Sequence, residues 1–275
     1  LKLVRDSPIT NSTTYWLLSA NLWSSVALRY YYPEISLDIC SQLVKWGYTR
    51  NNLHEAIVGY SIPFPIKGRR EILVYQTPSY NITTDMFDEP SRNYTDYKEY
   101  FDLPVYLALS ESWKGNRQYA TELFNNASLM WDGIGIMDKA TKNTSRYATY
   151  KLALLLYASR IIGVPLADKE QVEERLWSMQ QLDGGIATEY YLNGIAATTE
   201  SNTETAPLVI IAYKYTPRLQ PFGFIWLFVS LAVLSISVFV ILIFLIPKLR
   251  PPKRETIKID VKHVMISYFS SPIIS

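Results

Sequence analysis

Residues 175–188 read RLWSMQQLDGGIAT, from Arg175 to Thr188, and the organisation of the chain follows from how this stretch ends. An amphipathic run stops at Asp183-Gly184-Gly185, where glycine accepts the positive φ that ends a helix and the aspartate supplies a capping oxygen. Upstream, Tyr147–Ile162 and Lys169–Gln181 carry helical apolar periodicity, so the stretch closes a helix pair. The same grammar occurs before it: Leu103–Lys114 and Arg117–Trp131 leave through WDGIGI, Trp131 to Ile136. It occurs first at Tyr15–Tyr31 and Pro33–Trp46, with Pro33 in the first turn of its helix and Gly47 as the stop. A lone helix, Thr205–Tyr215, follows the third pair. Such pairs bury their faces only against neighbours, so three and a half of them make one mainly α domain over residues 1–215.

Within residues 100–215, Trp177, Gln180 or Gln181, Asp183, Gly184 and Gly185 resemble the repeat of the α/α-toroid superfamily: terpenoid cyclases, protein prenyltransferase β subunits and complement-type thioester domains. Trp131, Asp132, Gly133 and Gly135 repeat part of that pattern, and Ile186 stands where the family places an aromatic. The resemblance implies an open toroid of helix hairpins, with about seven helices where a complete ring has twelve. An unclosed edge would then be covered by glycans or another subunit. The family's chemistries do not transfer. The chain has no Asp-x-Asp-Asp run, its one Cys40 sits in DICSQL rather than a thioester motif, and its two histidines are His54 and His263. Zinc catalysis of the prenyltransferase type needs Asp, Cys and His together. No cofactor or metal is expected.

Between the first and second pairs, Val58, Tyr60 and Ile62 alternate with small or polar residues, and Ile72–Tyr75 is β-rich. This predicts a β-hairpin insertion over about residues 56–77, turning at Lys67–Arg70, followed by an exposed loop to about Tyr97. Cys40 reads as a small buried hydrophobe on a helix face, and His54 as a surface loop residue without a second ligand.

From Phe222 to Ile246 there are 25 residues without a charge, enough to cross a bilayer as a helix. Residues 216–247 are therefore expected to be a juxtamembrane stretch and one transmembrane helix, with Tyr215 and Trp226 as interfacial anchors and Ser230, Ala232, Ser235 and Ser237 offering close helix packing. The tail, 248–275, holds six Lys/Arg against Glu255 and Asp260, a net +4 that leaves −2 on the rest. Basic residues beside a span stay in the cytoplasm, which puts the N-terminal domain outside. Acceptor patterns for N-glycosylation agree: they occur at Asn11, Asn81, Asn93, Asn126 and Asn143 and nowhere after the apolar run. Twelve asparagines in a chain with 43 Ser and Thr among 275 residues would produce about two by chance. The start at Leu1 suits removal of a secretory signal. The acidic balance of the large domain disfavours nucleic acid as a partner.

These readings describe a plasma-membrane, single-pass cell-surface glycoprotein, with the lipid bilayer, covalent N-glycans and other membrane or envelope subunits as partners. It would serve as an interaction or accessory subunit. The competing reading is a membrane-anchored glycoside hydrolase or lyase. Asp132, Asp183, Glu189 and Glu204 are its candidate catalytic acids, with Asp138 and Glu200 on the same rim beside Tyr190 and Tyr191, since paired carboxylates about 5–9 Å apart suit glycoside chemistry. The third is a glycan-binding module using exposed aromatics such as Tyr30-Tyr31-Tyr32. The aspartates also read simply as turn caps, Ala197–Thr205 as a capping loop, and Trp16, Trp23, Trp113, Trp131 and Trp177 as core.

Overall fold

In the computed structural model of the chain, the described residues are 2–5, 15–48, 52–87 and 93–215. The expected span, its anchor Trp226, the basic tail and Asn11 lie outside them. Among the described residues no helix is long and apolar enough to cross a membrane.

The protein is mainly helical. The first pair is α1 (Leu18–Leu28) and α2 (Pro33–Lys45), preceded by the short strand β1 (Tyr15–Leu17). The second is α3 (Asp102–Trp113) and α4 (Arg117–Ser128). A six-residue helix α5 (Lys139–Thr144), not foreseen, leads to strand β4 (Arg146–Ala148). The third pair is α6 (Tyr150–Ile162) and α7 (Lys169–Trp177), with strand β5 (Glu189–Tyr191) before α8 (Thr205–Lys214). Gly163, at φ +82°, ends α6 in the left-handed conformation that a side chain disfavours. The expected helix start at Tyr147 is corrected: Arg146–Ala148 pairs antiparallel with β5 instead.

Helices α1, α3, α6 and α8 are the inner set: α3 packs on α6, α6 on α8 and α8 on α1. They run parallel, since contacts join their matching ends. At one end the Tyr150 hydroxyl donates to Asp102 Oδ2 at 3.0 Å, joining the starts of α6 and α3. At the other, the Arg29 guanidinium lies 4.9 Å over the Tyr215 ring, joining the ends of α1 and α8. Arg160 donates through Nε to the Ala212 carbonyl at 2.9 Å, joining the ends of α6 and α8. The edge that seven helices should leave open between α1 and α3 is occupied by a 3₁₀ turn, Leu53–Ala56, which packs on both.

The β-hairpin exists but is displaced from its predicted place. Its strands are β2 (Arg69–Gln76) and β3 (Asn81–Phe87), antiparallel, turning at 77–80 rather than 67–70. Strand β1 adds in parallel to β3, giving the order β1-β3-β2. Residues 81–87, expected as loop, are therefore sheet, and Leu53–Ile57 and Ile62 are buried in the helical core. Cys40 is exposed, contrary to expectation, because Ile39 and Leu43 hold the buried face of α2. Trp177 is exposed as well, tilted against Tyr213 at 5.6 Å between ring centres.

Candidate functional site

The exit turns place the predicted acids. In the first, Asp132 Oδ1 accepts from the backbone N–H of Ile134 and of Gly135, each at 2.9 Å, and Oδ2 accepts the Tyr147 hydroxyl at 2.5 Å. In the second, Asp183 Oδ1 accepts from the Gly185 N–H at 2.9 Å. A third turn of the same build follows β5, where Asn193 Oδ1 accepts from the Ile195 N–H at 3.1 Å. Gly133 and Gly184 carry φ of +94° and +86°, which these Asx turns demand. Gly135 has a different reason: a Cβ there would run into the Tyr147 ring and come 2.6 Å from the Tyr190 hydroxyl. The Tyr147 and Tyr190 rings stack at 5.1 Å, and the Tyr190 hydroxyl donates to the Ile134 carbonyl at 3.1 Å. Burial, then the Asp132 carboxylate, raises the Tyr147 pKa, so Tyr147 stays a neutral donor.

The remaining acids are committed elsewhere. Glu189 pairs with Arg146 at 3.1 Å. Asp138 is buried at the start of α5, accepting from the N–H groups of Phe101 and Thr141 at 3.0 Å and from Lys151 Nζ at 2.5 Å. Burial pushes its pKa up, but Lys151 and the backbone donors outweigh that and leave it below the ordinary value. Glu204 turns away from this rim toward His54, with Oε1 3.4 Å from Nε2. Five of the six carboxylates thus hold turns, caps or separate ion pairs, and Glu200 meets the site through its backbone carbonyl, which accepts from the Thr188 N–H at 3.1 Å. Among the described residues no group of three or more His, Cys, Asp or Glu side chains is arranged to hold a metal ion.

His54 is a residue the sequence reading misplaced. It is 3% exposed, with the Trp23 ring 4.5 Å from its own and Nδ1 3.1 Å from Asn52 Oδ1. Asn52 and Glu55 form a capping box: Asn52 Oδ1 accepts from the His54 N–H at 2.7 Å, and Glu55 Oε2 from the Asn52 N–H at 2.9 Å. The signal was legible, since Asn52-Leu53-His54-Glu55 has the N-cap and N3 residues at the right spacing. Burial pushes the Glu55 pKa up, against the hydrogen bond from Tyr48. Tyr150 is pushed well up by burial and by the nearby Asp102, Tyr106 and Glu204. A buried histidine in contact with a partly exposed glutamate is an acid–base pair in kind, yet the histidine ring packs against Trp23.

The interior explains why. Residues 54–58 pass among the inner helices, and their carbonyls are met by one aromatic donor from each quarter. Trp23 Nε1 on α1 donates to the His54 carbonyl at 3.1 Å, and Trp113 Nε1 on α3 to that of Ala56 at 2.7 Å. The Tyr157 hydroxyl on α6 donates to the Ile57 carbonyl at 2.5 Å, and that of Tyr215, just after α8, to the Val58 carbonyl at 3.2 Å. Ser110 Oγ accepts from the Ile62 N–H at 2.9 Å. A segment outside the α-helices but inside a helical core must have its peptide groups satisfied, and here side chains meet those that its own 3₁₀ turn leaves. Tyr215 is consequently buried, which corrects its expected place as an interfacial anchor. No family model, curated protein or solved structure matches this chain.

Proposed function

We propose that the chain is a membrane-anchored, N-glycosylated surface protein with its tail in the cytoplasm. Its helical domain, an α/α toroid of three and a half helix pairs, acts as an interaction or accessory subunit of a membrane or envelope assembly. The observation that carries the reading is the filled interior. Where a toroid enzyme needs a cavity, residues 54–58 occupy space among the inner helices, hydrogen-bonded to Trp23, Trp113, Tyr157 and Tyr215. The surface is then the part left to work.

Two features of that surface support a partner. Leu129, Leu182, Leu192 and Ile195 stand exposed on or beside the three exit turns, Leu182 fully so. Apolar side chains gathered at one end of a domain, with their backbone fixed by Asx turns, are a binding surface in kind. The glycan acceptors agree with an exposed location, since Asn93, Asn126 and Asn143 are exposed and Asn81 is half-buried on β3. The rim-carboxylate hydrolase draws no support from acids whose oxygens hold their own turns. The test is to extract the native protein in mild detergent and identify what co-migrates, comparing wild type with Leu182→Asp and Leu192→Asp. Partners lost from the variants while the fold persists support the reading. An identical set of partners removes the exit turns from it, and a chain that migrates alone removes the reading itself.

A further inference from the structure

The turn between α1 and α2 carries an apolar and aromatic patch that the fold does not use. Tyr30, Tyr31 and Tyr32 are 41%, 55% and 53% exposed, and Ile35 and Leu37 on the first turns of α2 are 42% and 71% exposed. The turn itself is rigid: the N–H groups of Tyr31 and Tyr32 both donate to the Leu28 carbonyl, at 3.0 and 2.7 Å, and Ser36 Oγ donates to the Ser25 carbonyl at 2.7 Å. Its place in the molecule is what matters. The Arg29 guanidinium lies over both the Tyr30 ring, at 5.3 Å, and the Tyr215 ring, at 4.9 Å. The patch therefore sits at the end of the domain from which the chain leaves.

Seven peptide links separate Tyr215 from Phe222, where the expected span begins. Fully extended they reach at most about 25 Å. If residues 222–246 cross a bilayer, the Tyr30–Leu37 patch is tethered within a few side-chain lengths of its surface. Tyrosine belongs at that level, where the ring meets acyl chains and the hydroxyl meets water and headgroups. We infer that the Tyr30–Leu37 turn rests in the headgroup layer of the outer leaflet, seating the domain on the membrane with its exit turns pointing away. The inference rests on the anchored reading above and adds to it a second, peripheral contact with lipid. Glu34, exposed beside the patch, limits the depth to the headgroup layer, and Asp38 is already paired with Lys2 at 2.9 Å. The exit turns lie at the other end of α6, whose 13 residues span roughly 20 Å. The interfacial role that Tyr215 loses by burial is thereby taken by Tyr30, Tyr31 and Tyr32.

The full-length chain in phosphatidylcholine nanodiscs tests this, with Cys40→Ser as background and a fluorescent thiol label at Leu37→Cys, Leu192→Cys or Leu234→Cys. The expected result is strong quenching of the position-37 label by a headgroup spin-labelled lipid and of the position-234 label by a mid-chain spin-labelled lipid. The position-192 label should be quenched by neither. If position 234 responds but position 37 is quenched no more than position 192, the inference is overturned and the anchor stands. If position 37 is shielded from aqueous iodide but untouched by either lipid, a protein covers the patch and the lipid assignment is overturned. If position 234 does not respond to the mid-chain lipid, the anchor and the inference fall together.

Discussion

Replacing Tyr157 by Phe removes one oxygen from the middle of the protein and leaves the Ile57 carbonyl without the donor that meets it at 2.5 Å. The ring is fully buried, so no solvent reaches the vacated position. Stranding a buried acceptor costs about 1–3 kcal/mol, whereas deleting an exposed hydroxyl costs within about 0.5 kcal/mol either way. At 2–4 °C per kcal/mol for a domain of this size, Tyr157→Phe should lower Tm by about 2–12 °C. Tyr31→Phe, altering an exposed ring, is the control and should leave Tm nearly unchanged. The assay is thermal unfolding followed by near-ultraviolet circular dichroism, which reports the packed aromatics. The same logic applies to Trp113→Phe, whose indole N–H meets the Ala56 carbonyl at 2.7 Å. Equal Tm values for Tyr157→Phe and Tyr31→Phe would refute the idea that residues 54–58 are held among the inner helices by these donors.

Gly135→Ala should destabilise by about 1–3 kcal/mol in urea titrations, because the new methyl meets the Tyr147 ring; Tyr147→Leu should relieve part of that cost. Asp138 has a folded pKa below its ordinary value near 3.8, so its contribution is present above that pH and is lost as pH falls through the folded value. Asp138→Asn should therefore flatten the fall of Tm below about pH 4, while lowering Tm at neutral pH by stranding the buried Lys151. Glu55 has the opposite sign: its pKa is raised above 4.5, so its contribution is full below that pH and fades as pH rises through the folded value. Glu55→Gln should accordingly remove a loss of stability above about pH 4.5 in the same melts. The exposed thiol of Cys40 should react fully with a thiol reagent in the folded state, and slow or partial labelling would contradict its placement on the outer face of α2.

Much of the helical framework was written locally. Pro33 at the start of α2 and glycines past the ends of helices mark boundaries that need no tertiary knowledge, and the pair boundaries match within a few residues. The turn aspartates were legible in both senses offered for them, and the capping sense is the one their oxygens serve. The capping box at Asn52–Glu55 was legible, but the path of the chain just after it was not, for a physical reason. Val58, Tyr60 and Ile62 alternate as strand residues do, but alternation reports only that a segment is partly buried, and here four distant aromatic donors replace a neighbouring strand. Tyr215 shows the same limit: an amphipathic ring at the mouth of an apolar run suits a membrane surface until Val58, 157 residues away, offers its carbonyl. Glu204 left the expected rim because its partner, His54, was read as a surface loop residue and is instead buried beside Trp23.

The central claim, that this is a subunit rather than a self-sufficient enzyme, is tested most directly by the native mass of the detergent-extracted protein, measured by size exclusion with light scattering and followed by mass spectrometry of the peak. The expected result is a polypeptide mass well above the 31.7 kDa of one chain, with a fixed set of other polypeptides in constant ratio. A glycosylated chain migrating alone, and hydrolysing a polysaccharide in a manner lost on Asp132→Asn or Asp183→Asn, would contradict it.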